Sequence, residues 1–278
     1  MGSPVIRRQH DGLAYYQLAT LSAEPGVRHG CFTRLGGVSR PPFATLNVGA
    51  SVGDDPAAVA ANRQRCLAVL GLEGASVVSP CQVHGATVAR VGRAQAGQVV
   101  PATDGLVTGE PGVALLLRYA DCVPILLYDR ERQAVGLLHA GWRGTLGGIA
   151  ARGVAAMQEH FGSPPGRLWA GIGPAIGPCC YQVSADLAEA FAGRFGSQVV
   201  QERPDGAYLD LVAANVLALA EAGARRLERA DLCTACHPEE FFSHRRHGGQ
   251  TGRLAVIVGL VAGVGDGDGW ELGTGPAG

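Results

Sequence analysis

Cys122-Val-Pro-Ile-Leu-Leu-Tyr128, Asp129-Arg-Glu-Arg132 and Gln133-Ala-Val-Gly-Leu-Leu138-His139 form the stretch on which the fold turns. Two apolar runs flank a short charged segment, the pattern of a β-hairpin. With Arg130 and Glu131 as the loop tip, Tyr128 pairs with Gln133, Leu126 with Val135 and Cys122 with His139. Directly opposed residues on one face hold their Cβ atoms about 4.5–5.5 Å apart. The expected hairpin therefore sets a thiol against an imidazole, which suits a Cys–His nucleophile pair and equally two ligands of one metal. A slip of one residue would send the two side chains to opposite faces.

Outward from the hairpin, helix signals are well marked. Asp54-Asp55-Pro56 supplies a cap and an N1 proline for a helix to about Leu70, stopped by Gly71. Thr145 begins an Ala/Gly-rich helix to about Phe161. Ser184 caps Ala185 to Phe195, and Asp210 caps Leu211 to Ala222 with Gly223 closing it. Strands are expected at Ser76 to Val83, Thr87 to Val91, Ala114 to Arg118, Leu168 to Ile172 and Leu254 to Leu260, besides the hairpin arms. Strands clustered between single helices imply an α/β domain with a mixed sheet and helices on its outer faces. No period of 20–50 residues repeats, and no Pro/Ser-rich linker divides the chain.

Composition sets the limits. The 278 residues are 47% hydrophobic and 17% charged, with 42 glycines, which is the balance of a globular chain. A net charge of −1 argues against a dedicated nucleic-acid or anionic-membrane binder. No apolar run approaches the ~20 residues of a membrane span. The first residues, with Arg7, Arg8, His10 and Asp11, hold no signal-peptide core, so a cytoplasmic location is expected. Eight cysteines scattered over more than 200 residues are expected as reduced thiols, mostly small buried hydrophobes. The glycine-rich end after Leu260 is expected to be a flexible tail.

Polar features gather at the ends of the apolar strands. Asp121-Cys122 opens one hairpin arm, and His139-Ala-Gly-Trp-Arg-Gly144 closes the other before a helix. Free backbone N–H groups beside the Arg143 guanidinium would make an anion site; equally, Gly141 and Gly144 would serve a tight turn with Arg143 paired to Asp121. His84, in Ser79-Pro-Cys-Gln-Val-His-Gly85, is a third strand-end candidate that spacing alone does not join to the hairpin. Phe241-Phe-Ser-His-Arg245-Arg246-His247 reads either as a solvated loop or as a place to stack a base and grip a phosphate. Cys233-Thr-Ala-Cys236-His237 has c-type haem spacing, but no export signal accompanies it. A zinc ribbon is set aside because Cys179 and Cys180 are adjacent and offer no second C-x-x-C. Gly171-Ile-Gly173-Pro-Ala-Ile-Gly177 lacks dinucleotide-fingerprint spacing.

The ordered motifs together resemble one family. They are Thr33-Arg-Leu-Gly-Gly-Val-Ser39, Leu46-Asn-Val-Gly49, Gln82-Val-His-Gly85, Thr103-Asp-Gly105, Ala120-Asp-Cys122, His139-Ala-Gly-Trp-Arg-Gly144, Gly173-Pro-Ala-Ile-Gly-Pro-Cys-Cys-Tyr181, Leu209-Asp-Leu211, Cys233-Thr-Ala-Cys-His-Pro238 and Ser243-His-Arg-Arg246. From about Val27 to Leu260 the chain is similar to the laccase-domain proteins, also called YfiH-like proteins or peptidoglycan editing factors and described as purine nucleoside phosphorylases. This divides it into a lead-in over 1–26, a catalytic domain over 27–260 and the tail over 261–278. The resemblance implies a single-domain, four-layer α-β-β-α arrangement with mixed sheets, similar to cysteine-hydrolase folds of the deamidase-toxin kind. It implies that His84, Cys122 and His139 form a metal-capable catalytic cluster for Zn²⁺, or alternatively Cu²⁺. Arg143, Arg34, Asn47, Arg245 and Arg246 are the substrate- and phosphate-binding candidates, and Asp121 is the candidate proton shuttle.

The implied activity is phosphorolysis of adenosine, inosine and methylthioadenosine, with zinc-dependent adenosine deamination beside it. The partners are then purine nucleosides and phosphate, with no nucleic acid or membrane, in a monomer or small homo-oligomer. The alternative is a Cys122–His139 hydrolase or amidase acting on a peptidoglycan precursor. Multicopper laccase chemistry is disfavoured. Four coppers need about ten histidine ligands, many in His-x-His pairs; eight are present, no two of them two residues apart.

Overall fold

The hairpin forms with a longer loop than the apolar runs suggest. In the computed structural model, which describes residues 5–261, the strand Val123–Asp129 pairs antiparallel with Ala134–Ala140, Asp129 opposite Ala134 and Val123 opposite Ala140. The expected pairing of Cys122 with His139 is corrected by two residues: His139 lies opposite Pro124. The cause is the buried Asp129 carboxylate, which accepts the N–H groups of Glu131 at 3.0 Å and Arg132 at 3.3 Å. These bonds close a four-residue loop whose last member, Gln133, adopts φ 47°. Because the shift is even, no side chain changes face. Cys122 and His139 become diagonal neighbours on the same face.

Both arms are buried along their whole length, because each face of their sheet is covered. That sheet has six strands in the order Arg226–Arg229, Trp169–Ile172, Val123–Asp129, Ala134–Ala140, Gly105–Thr108, Val88–Arg90. A second sheet of seven strands runs Val5–His10, Leu13–Leu18, Val27–Phe32, Leu254–Leu260, Val113–Tyr119, Ser76–Pro80, Val99–Val100. Leu126, Tyr128, Val135 and Leu137 face Leu115, Leu117, Val256 and Val258 across the gap between the sheets. On the hairpin's outer face, Ile125, Leu127 and Leu138 pack on the helices Ile149–Phe161, Ala185–Phe195 and Leu211–Glu221. On the other sheet's outer face, Leu116 and Ile257 meet Cys66 and Leu67 of the helix Pro56–Ala68. The layers are thus helix, sheet, sheet, helices. Asp55, Ser184 and Asp210 cap their helices as expected. The N-terminal lead-in supplies two strands of the larger sheet, joined by a two-residue turn, Asp11-Gly12, with both φ angles positive. From residue 262 on, the expected tail lies outside the described residues. No helix among the described residues is long and apolar enough to cross a membrane.

One buried base in this scaffold has a measurable consequence. His29, fully buried in Val27–Phe32, accepts the Leu18 N–H on Nε2 at 2.8 Å, which places its own proton on Nδ1. Burial brings its pKa down to about 3, against about 6.5 in an unfolded chain. Between those values the unfolded chain binds a proton that the folded protein refuses. Stability is therefore complete above pH ~6.5 and declines toward pH ~3, by at most about 1.4 kcal/mol per pH unit. Replacing His29 by Gln, which keeps an acceptor, is expected to remove about one proton from that slope. Urea unfolding across this pH range measures it, and an unchanged slope in His29→Gln would contradict the assignment.

Candidate active site

Both sheets end at one cavity of about 630 Å³. Tyr119, at the end of its strand in the larger sheet, and His139, near the end of its hairpin arm, both line it. Cys122, just before the first arm, and His84, on the loop after Ser76–Pro80, complete the cluster. One ligand atom from each of His84, Cys122 and His139 lies within 4.8 Å of the others. The two imidazoles meet edge to face, with ring centres 5.0 Å apart.

Asp104 makes this meeting possible. Its buried carboxylate accepts three consecutive backbone N–H groups, from Val83 at 3.1 Å, His84 at 3.0 Å and Gly85 at 2.8 Å. The loop wraps it as a nest wraps an anion, which holds His84 in the left-handed region at φ 59°. The same carboxylate meets His139 Nδ1 at 2.9 Å, and the Asp104 carbonyl accepts the His139 N–H at 2.8 Å. His139 Nε2 is left to face Cys122. Burial alone would push the Cys122 thiol up, but the charge of His139, with hydrogen bonds from His139 and His84, brings it down to about 6. Burial works against the His139 cation too, and is outweighed by the Cys122 thiolate and Asp104, which raise it to about 9. Both directions favour a thiolate beside an imidazolium. Gly141 gives the pair room: a Cβ there would lie 3.2 Å from Cys122 Sγ and 3.1 Å from His84 Cδ2.

A thiolate and two imidazoles form a three-ligand donor set of the kind that leaves a fourth position open on zinc. The carboxylate on Nδ1 of His139 is the outer partner that metal-bound histidines usually have. These residues fit a divalent ion.

The remaining candidates divide. Arg143 and Arg245 line the cavity. The Arg143 guanidinium stacks on Trp142 at 4.2 Å and makes no ion pair or hydrogen bond among the described residues, so its expected alternative pairing with Asp121 does not form. Arg245 lies 5.1 Å over the Tyr181 ring and donates to the Gln182 carbonyl. Asp121 also lines the cavity, but both its oxygens are engaged, one by the Thr234 hydroxyl and one by the Arg245 N–H, each at 2.7 Å. Arg34 and Asn47 are not among the residues lining the cavity. Arg34 donates to the carbonyls of Ala44 and Pro238, and Asn47 bonds Gly49, Asp54 and Arg253. Their polar atoms fix loops. Arg246, likewise outside, donates to the Ala235 carbonyl.

Sequence reasoning missed Arg118, Arg253, Trp142, Tyr181 and His244 in the cavity wall, and Asp104 behind it. Asp104, Trp142, Tyr181 and His244 sit in quoted motifs without a role. Arg118 and Arg253 flank paired strands at one end, since Leu254 lies opposite Tyr119, a placement visible only once the sheet order is known.

A family model described as "Multi-copper polyphenol oxidoreductase laccase" matches residues 28–261. The protein named purine nucleoside phosphorylase YlmD of Geobacillus stearothermophilus is 40% identical over 247 residues, 84% of this chain and 90% of that protein. The crystal structure of YlmD from that organism superposes with a TM-score of 0.87 at 37% identity, covering 94% of this chain and 100% of that one. The hypothetical protein YfiH of Bacillus licheniformis follows with a TM-score of 0.84 at 35% identity, over 91% and 98% of the two chains. The resemblance read from the motifs holds.

Asp104→Asn tests the wiring, because it keeps the shape and removes the charge. Outer-shell partners of this kind are worth roughly 10–100-fold in metal affinity. Zinc affinity, measured by competition with a chromogenic chelator, is expected to fall by that amount. An affinity within twofold of the parent's would contradict the role given to Asp104.

Proposed function

The chain belongs to the family described as multi-copper polyphenol oxidoreductase laccases, and from that membership we propose that it is a purine nucleoside phosphorylase, the activity its relatives are named for. The observation carrying this reading is the cavity in which the His84–Cys122–His139 cluster shares walls with four arginines and three large aromatic side chains, Tyr119, Trp142 and Tyr181. Its volume lies within the range of small-molecule pockets, enough for a nucleoside and a phosphate. Arg143, with its donors free, is the phosphate ligand, and Arg118, Arg245 and Arg253 add positive charge around it. Trp142 and Tyr181 offer flat faces to the purine. The buried Tyr119 hydroxyl, unpartnered among the described residues, is a further polar group at the wall.

In the reaction a phosphate oxygen bonds to the ribose C1′ as the bond from C1′ to the purine nitrogen breaks. Held at Arg143, the phosphate is oriented and its repulsion of other anions is neutralised, a positioning effect. His84, Cys122 and His139 would hold Zn²⁺, with Cu²⁺ the second choice for the same donors. When bound, the ion supplies Lewis-acid polarisation to a substrate atom. Asp104 positions His139 and the His84 loop, and Asp121 positions the Arg245 backbone rather than shuttling protons. Adenosine, inosine and methylthioadenosine are the proposed substrates, with adenosine deamination as an accompanying activity. Four-copper oxidation does not fit the donors. Eight histidines are too few, and among the described residues the metal-capable groups of three or more are this cluster and a set of four cysteines.

The alignment Asp104–His139–Cys122, with the thiol brought down to about 6, favours a second reading as a cysteine hydrolase or amidase, for which a peptidoglycan precursor is the proposed substrate and a fold similar to cysteine hydrolases the proposed setting. The two readings separate in one assay. Zinc-loaded protein given adenosine is expected to release adenine only when phosphate is present, and Arg143→Ala is expected to raise the phosphate KM roughly tenfold or more with little change for adenosine. Base release indifferent to phosphate would overturn the phosphorylase. Amide hydrolysis by chelator-treated protein, abolished by iodoacetamide, would install the hydrolase.

A further inference from the structure

The zinc ribbon set aside on spacing is reopened by topology. The strands Trp169–Ile172 and Arg226–Arg229 are parallel neighbours, Trp169 opposite Arg226. The loops that follow them therefore leave the sheet at the same end. Ala175 pairs with Cys233 in a parallel bridge, and hydrogen bonds join Ala175 N–H to the Leu232 carbonyl and Thr234 N–H to the Ala175 carbonyl. This brings Cys179 and Cys180 from one loop against Cys233 and Cys236 from the other. One sulfur from each lies within 4.8 Å of the rest, and Cys236 Sγ is 3.4 Å from both Cys179 Sγ and Cys180 Sγ.

We propose that these four cysteines are a second metal site, a Cys₄ centre for Zn²⁺, separate from the His84–Cys122–His139 cluster. A single tetrahedral zinc with Zn–S bonds near 2.3 Å holds its sulfurs about 3.8 Å apart, and the four thiols gather on that scale. Soft tetrahedral S₄ donors select zinc among the common divalent ions.

Three independent features suit the centre. The Cys233 sulfur accepts the Gly177 N–H at 3.2 Å, the kind of backbone amide contact that a thiolate ligand takes. The Arg203 guanidinium donates to the carbonyls of Pro178 and Cys179, and that of Arg246 to the Ala235 carbonyl. Two cations thus flank a centre whose four thiolates and one zinc would carry two negative charges. The cysteines are also half-buried or exposed, which gives the ion a way in.

The site has a use. The first loop carries Ile176 and Tyr181 to the cavity, and the segment after Cys236 carries His244 and Arg245. A zinc bound to both loops staples the wall that presents Tyr181 and Arg245. Its binding displaces the thiol protons and needs neither phosphate nor nucleoside, so it stands or falls apart from the activity proposed above.

Metal counting decides it. Protein purified under reducing conditions with Zn²⁺ is expected to hold two zinc ions per chain, and Cys122→Ala and Cys236→Ser one each. In Cys122→Ala, Co²⁺ replacing the remaining zinc is expected to show the intense near-ultraviolet thiolate-to-cobalt bands and the visible absorption of a tetrahedral S₄ site. One zinc in the parent and none in Cys122→Ala would overturn the proposal, as would a parent whose mass shows Cys179, Cys180, Cys233 and Cys236 joined in disulfides under the same conditions. The Co²⁺ spectrum of Cys122→Ala decides alone if Cys236→Ser does not fold.

Discussion

The Asp104 carboxylate is the constraint on which the candidate site depends. It is buried, it takes three consecutive backbone N–H groups from the His84 loop, and it holds His139 by its ring. A buried charge is costly unless its oxygens are satisfied, and here four donors satisfy one carboxylate. The histidine partner and the backbone amides hold the Asp104 carboxyl below the usual carboxylate range although burial pushes the other way. Two histidines 55 residues apart in sequence thereby become parts of one rigid object, and Cys122 is delivered to it by the hairpin.

The fold supplies this delivery through strand ends rather than through loops of its own. Two sheets packed face to face leave their strand ends open on one side, where Arg118 and Tyr119 from one sheet share a cavity with His139, near the end of a central strand of the other, and with Cys122, just before its neighbour. The walls are completed by loops that Asp121 ties together. Its carbonyl accepts the Ile176 N–H, and its carboxylate holds Thr234 and the Arg245 backbone. Asp121, which reads as a catalytic candidate from its position beside Cys122, also ties these loops together, with one hydrogen bond on each carboxylate oxygen.

What was legible in the sequence follows from what is local. Caps at Asp55, Ser184 and Asp210, and the apolar arms on either side of Asp129, are written in neighbouring residues. The face shared by Cys122 and His139 was legible too, since a strand's side-chain period is two and the register error was even. The loop length was not, because it is set by the Asp129 side chain bonding the amides of Glu131 and Arg132. The Asp11-Gly12 turn was a readable hairpin signal, passed over because the polar edge strand Val5–His10 gives it no apolar partner. Asp104, Arg118, Arg253 and the grouping of Cys179 and Cys180 with Cys233 and Cys236 were illegible for one reason. Each depends on which strands become neighbours, and no spacing along the chain records that.

The cluster stands on one proton, which the Asp104 carboxylate keeps on His139 Nδ1, leaving Nε2 for the cluster. The direct measurement is the ¹⁵N chemical shifts of the His139 ring in zinc-loaded protein, assigned by comparison with His139→Gln. A protonated, hydrogen-bonded Nδ1 and an unprotonated Nε2 are expected, with the Nδ1 signal displaced in Asp104→Asn. A proton on Nε2, or a His139 spectrum indifferent to Asp104→Asn, would contradict this placement.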